Sequence, residues 1–177
     1  CVLEQVGPAG ELIDHYDGRQ INPGHGIELA WFILREAAER DNDAELIALG
    51  CKILDFQWEQ GWDVEFGGIL YYRDAKGLSS PEYWHHMKLW WPHNEAEIAT
   101  LMAFRLTGDS KYANWFEQVH RWSFEHFPDG EHGEWFGYLD RPGKPTSTLK
   151  GNFFKGPFHL PRMLLRCSTE LEALGIG

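Results

Sequence analysis

Asp63-Val-Glu65-Phe-Gly67 and Asp129-Gly-Glu131-His-Gly133 are two copies of one pattern set 66 residues apart. The match continues from Tyr72, Asp74 and Gly77 to Tyr138, Asp140 and Gly143 at the same separation. Each copy reads as a short two-stranded excursion closed by a glycine-containing turn. His93 and His159 keep the 66-residue spacing, and His25 stands 68 residues before His93, each where a helix is expected to begin. Units that repeat in this way bury their apolar faces only by stacking on their neighbours. Two and a half of them make an arc with open edges, and closing the ring takes about twice as many.

The stretches between the excursions are helical in period. Ile27, Ala30, Trp31, Leu34 and Ala38 form one stripe over 24–40. Leu46, Leu49, Ile53 and Leu54 form another over 43–59, with Asp43 placed to cap it. Further helices are expected over 92–107, ended by Gly108-Asp109, and over 110–127 and 157–174. The predicted class is all-α: an open arc of helical hairpins, half of a closed toroid, with short β-hairpin excursions, occupying residues 1–177 as part of one domain. The N-terminal half of the barrel is expected to lie outside this chain, which opens on Cys1 rather than Met.

Charge narrows the partners. With 16 Lys and Arg against 27 Asp and Glu, the net charge of −11 argues against nucleic acid and anionic membrane surfaces, both of which need a basic footprint. No apolar run is long enough to span a bilayer. Cys1, Cys51 and Cys167 lack metal-ligand spacing and suit a reducing cytoplasm.

Candidate chemistry gathers at the recurring histidines. Glu28 follows His25 by three residues, on one helix face, where a carboxylate can orient an imidazole for acid–base work. His159 sits between Lys155 and Arg162, cations suited to anionic or enolate-like oxygen. In Trp90-Trp91-Pro92-His93-Asn94-Glu95, flat rings beside polar groups suit a sugar. Each feature also has a structural reading, as a helix cap, a basic loop or core aromatics; Trp84 and Trp135 are taken as core. The recurrence of one residue type at three helix starts favours function.

Other patterns lead nowhere. Arg141-Pro-Gly143-Lys144-Pro-Thr146 lacks the ending and the following helix of a phosphate loop. His85-His86 has no third ligand, and adjacent residues on a helix or strand point apart, so no metal site is expected. Cys51 and Cys167 lie in apolar stripes without an adjacent histidine.

The segments GRQINPGHGIELAWF, DVEFGGILYY, MKLWWPHNEAEIA, GEWFGYL and KGNFFKGPFHLPR together make the chain resemble the N-acylglucosamine 2-epimerase family, and most closely its animal-type, renin-binding protein branch. The likeness runs from about Cys1 to Leu174 and implies an all-α fold, the C-terminal half of that family's (α/α)6 barrel (toroid). It implies interconversion of N-acetylglucosamine and N-acetylmannosamine through removal and return of the C2 proton on the open-chain sugar. It also implies catalytic roles for His25 and His159, with Glu28 as the orienting carboxylate. Arg19, Trp90, Trp91, His93 and Glu95 would face the pocket beside Lys155 and Arg162. The family's N-terminal half supplies an essential arginine, so this half alone is expected to be inactive. No cofactor is expected for the chemistry, ATP is implied as an activator, and a homodimer is expected. An aldose–ketose isomerase, a glycoside hydrolase using Glu28 and Glu95, and a non-catalytic sugar- or protein-binding module are the competing readings.

Overall fold

Over residues 2–176, which the computed structural model describes, short polar side chains start three of the five helices where the periodicity places them. Cys1, and what was read from it, lies outside these residues. Asn22 caps α1 (Pro23–Glu39) by accepting from the His25 amide. Asp43 caps α2 (Ala44–Gly61) through the amides of Glu45 and Leu46. Helix α3 (Trp90–Thr107) ends on Gly108 in the left-handed conformation, and Asp109 then caps α4 (Ser110–His126). Helix α5 (His159–Ala173) completes the set. None of these helices is long and apolar enough to cross a membrane.

The helices form an arc of antiparallel hairpins. Helix α3 lies in the middle, against α1 on one side and α5 on the other, with α2 and α4 behind. Its residues Trp90 through Ala103 are all buried, including His93, Asn94, Glu95 and Glu97. His93 and Glu95 find partners inside, and Glu97 Oε2 meets His120 Nδ1 at 2.7 Å, whereas neither polar atom of the Asn94 side chain meets one among the described residues. The core joins Ile27, Leu34 and Leu54 to Trp90, Ile98, Phe127 and Met163.

The excursions repeat in detail. Trp62 bridges Ile69, and Pro128 bridges Trp135. Asp63 Oδ1 accepts the amides of Glu65 and Phe66, as Asp129 Oδ1 accepts those of Glu131 and His132. The regular strand of each excursion, however, pairs with a strand outside it rather than within a hairpin. Strand β1 (Gln20–Ile21) leads into α1 and pairs antiparallel with β2 (Arg73–Asp74), Gln20 opposite Asp74. Strand β3 (Lys88–Leu89) leads into α3 and pairs with β4 (Tyr138–Leu139), Leu89 opposite Tyr138. Each excursion is thereby tied to the start of an inner helix.

A buried ion cluster ties the two excursions to each other. Lys88, fully buried, donates to Asp63 Oδ2 at 3.0 Å and to Gly67 O at 2.6 Å. Arg141 Nε reaches the same carboxylate at 2.7 Å. Burial pulls the Lys88 ammonium down to about 8 against the attraction of Asp63. Burial raises Asp63, but Arg141 and Lys88 together hold it well below the ordinary carboxylate range. Nearby Gly68 has φ 75°, and a Cβ there would stand 2.9 Å from His93 Nε2, so glycine is required on two grounds.

Candidate active site

The first turns of α1, α3 and α5 open onto a cavity of about 780 Å³, with His25, Trp90, Trp91 and His159 in its wall. Trp91 packs against both histidines: its ring centroid is 5.0 Å from that of His25 and 5.6 Å from that of His159. Gly24 lets it in, since a Cβ there would meet the indole at 2.6 Å. Tyr71, Tyr72 and Tyr138 from the excursions, with Trp84 from the turn that follows the first, complete an aromatic wall.

Each imidazole has a carboxylate on its Nδ1. His159 Nδ1 is 2.7 Å from Glu95 Oε1, and His25 Nδ1 is 3.0 Å from both oxygens of Glu4. With Nδ1–H donating to the carboxylate, Nε2 is the basic nitrogen, and neither Nε2 has a protein partner among the described residues. The hydrogen bond that His25 donates to Glu4 raises the His25 pKa against the effect of burial. Glu95 is fully buried; its Oε1 also accepts from Arg162 at 2.6 Å and its Oε2 from Trp31 Nε1 at 2.7 Å.

Several expectations need correction. Glu28 does not hold His25; it binds Arg162 at 2.6 Å, and Glu4 takes the expected place. His93 does not face the cavity. It is fully buried against Trp122, its Nδ1 is 2.6 Å from Leu89 O, and its Nε2 accepts the Ile69 amide at 2.9 Å. Burial holds its pKa near 3, so it is a neutral strut between α3 and the excursion. Arg19 is bound to Asp74 and Asp14 beside β1, away from the cavity wall. Lys155 also turns away, pairing with Glu134 at 2.6 Å and supporting the Trp90 ring from 5.6 Å. Arg162 sits behind His159 rather than in the wall. Trp84 is no core residue: it is 48% exposed and lines the cavity, whereas Trp135 is buried and stacked on Phe127.

The hydrolase pair fails on the same geometry. Glu28 and Glu95 share one nitrogen of Arg162 and cannot flank a scissile bond. Their oxygens and a ring nitrogen of His159 lie within 4.8 Å of one another, a set suited to a cation, but the guanidinium supplies the positive charge there. Burial raises the thiols of Cys51 and Cys167, which suits packing rather than nucleophilic chemistry.

Glu4, Tyr71, Tyr72 and Trp31 were missed. The run Ile69-Leu-Tyr71-Tyr72 carried an aromatic signal for the wall. Nothing local marks Glu4, because its chain segment reaches His25 only through the tertiary fold.

These elements agree with known proteins. Residues 3–155 match the model of the N-acylglucosamine 2-epimerase (GlcNAc 2-epimerase) family, and the chain belongs to that family. It is 48% identical over 175 residues to the N-acylglucosamine 2-epimerase of Bos taurus and 45% identical over 175 residues to that of Homo sapiens. Each alignment covers 98% of this chain but 41% of the relative's length. Among solved structures, the cellobiose 2-epimerase of Spirochaeta thermophila superposes with a TM-score of 0.74 at 23% identity, covering 88% of this chain and 38% of that one. The arc of helical hairpins is therefore of the (α/α)6-barrel type.

Proposed function

We propose that the protein carrying this chain is a sugar 2-epimerase that interconverts N-acetylglucosamine and N-acetylmannosamine. One observation supports this reading above the others: His25 and His159, each backed by a carboxylate, both line the same cavity and pack against the same indole. Inversion at C2 needs a proton taken from one face of the carbon and another returned to the opposite face. A single base cannot do both without turning the substrate over.

In the open-chain sugar, the Nε2 lone pair of one histidine takes the C2 proton. The C2–H electrons form the C1=C2 double bond, and the carbonyl π electrons move onto O1 as an enolate. The opposite imidazolium then gives its proton to C2 while the O1 charge returns to the carbonyl. The two histidines exchange roles for the reverse reaction, and solvent restores their protons. Trp91 offers a flat surface to the carbon chain.

No further group is needed for these steps, and ATP enters the reading as an activator on the family likeness alone. Arg141 through Thr146 does not supply its site, since the Lys144 amide is closed onto Asp140 in a turn. The reading includes an amino-sugar substrate in the cytoplasm, a homodimer, and a barrel to which other residues of the protein contribute.

Deuterium incorporation at C2 of N-acetylmannosamine, followed by NMR in heavy water on the full-length protein, tests the proposal. His159→Ala is expected to abolish exchange, and unchanged exchange would remove His159 from the mechanism. A ketose product in the same tube would assign the protein to aldose–ketose isomerisation instead.

A further inference from the structure

A second cavity, of about 220 Å³, lies behind Tyr72. Its wall includes Arg73, Asp74, Ser79, Ser80, His85 and His86. The two histidines do not point apart as adjacent strand or helix residues would. They lie in a turn, with ring centroids 3.7 Å apart.

The lining has spare donors and no spare acceptor charge. Asp74 is its one carboxylate among the described residues, and it is saturated: Oδ1 accepts the amides of Lys76 and Leu78, and Oδ2 accepts from Arg19. Arg73 Nε is buried and meets no hydrogen-bond partner among the described residues. His85 donates through Nδ1 to Glu82 O at 2.6 Å, which leaves its Nε2 unengaged there. Burial, His85, Arg141 and Arg73 all hold the His86 pKa below the ordinary histidine value, and Asp63 opposes them. Such a convergence of nitrogen and hydroxyl donors around one guanidinium stands out in a chain of net charge −11. Nε is closed off from the cavity, so an anion there would be met by the terminal guanidinium nitrogens of the half-buried Arg73 side chain.

We propose that this cavity binds a phosphate-type oxyanion, held by Arg73 and His86 with the Ser79 hydroxyl. The anion is either free phosphate or the phosphoryl group of a larger ligand. The assignment does not depend on the epimerase reading, because none of these three residues lines the first cavity. Tyr72 belongs to both walls, and the carbonyl of His85 accepts the amides of Tyr71 and Tyr72. An anion seated here therefore bears on the aromatic wall of the first cavity.

Inorganic phosphate titrated into the full-length protein, followed by histidine side-chain NMR and by calorimetry, tests the site. The His86 resonances are expected to shift and its pKa to rise in phosphate. Arg73→Met, which keeps the packed stem, should weaken binding by about tenfold or more. His86→Gln should weaken it in the same direction, and Arg73→Lys should restore part of it. Thermal unfolding of each variant shows whether the fold is kept. A sugar 6-phosphate binding more tightly than phosphate would mark an attached phosphoryl group as the source. Equal affinity would mark free phosphate, and both results support the site. Absence of any phosphate response, or an equal response in Arg73→Met and the unsubstituted protein, overturns it.

Discussion

Glu95 Oε1 stands 2.7 Å from His159 Nδ1, and the same oxygen accepts a 2.6 Å hydrogen bond from Arg162. One buried carboxylate thus sets both the tautomer of a cavity imidazole and the place of a guanidinium behind it. Glu95→Gln should lower kcat/KM for C2 exchange by about 10²–10³-fold with a smaller change in KM, because orientation rather than binding is lost. Deuterium exchange rates measure this, and a variant within twofold of the parent would show that His159 needs no such support.

His25 titrates above the ordinary histidine value because Glu4 stabilises its charged form. With the folded pKa raised, the stabilising contact is fully present below the unfolded histidine value and is lost as pH climbs through the raised value. Glu4→Gln should move the His25 pKa down, as read from its imidazole resonances. The acid limb of kcat/KM should move to lower pH with it. A His25 titration indifferent to the substitution would mean that Glu4 is a bystander.

Gly24→Ala places a methyl group 2.6 Å from the Trp91 ring, so the indole must shift. Displacement of a substrate-facing group by even part of an ångström lowers the rate, and a loss of about tenfold or more is expected with little change in thermal stability. Intrinsic fluorescence should report the moved indole. Full activity would show that Trp91 does not position substrate.

Asp63→Asn leaves Lys88 buried without its counter-charge and frees Arg141. Loss of one partner from such a cluster costs about 3–5 kcal/mol, against less than about 1 kcal/mol for an exposed pair. Urea unfolding of the full-length protein distinguishes these outcomes, the smaller one meaning that the two excursions are held by packing alone.

The helices were legible because their ends are written locally. Asp43, Asp109 and Gly108 mark boundaries by chemistry that acts within one turn. The repeat exposed His25 and His159 for the same reason that it misled at His93. A repeated position conserves a place in the fold, and the middle copy, enclosed on both sides, has no cavity to face. Its two nitrogens serve peptide groups of the chain instead. Partner choice was the least legible property. Glu28 lies nearest His25 in sequence but bonds Arg162, 134 residues away, while Glu4 arrives from 21 residues upstream. Such choices depend on how helices and loops cross, which no short window of sequence contains. The turn at His85-His86 was missed because alternation was assumed where the backbone is neither helix nor strand.

The cavity wall takes residues from the opening turns of α1, α3 and α5. Three inner helices therefore begin at the same end of the arc, and the unpaired amides of each carry about half a positive charge. Their combined field favours negative charge in the cavity before any side chain acts. An enolate formed there would be lowered in energy by the backbone itself, to an extent that substitution of either histidine leaves in place. Variants lacking both imidazoles should then still prefer planar, anionic mimics of that enolate to the neutral sugar.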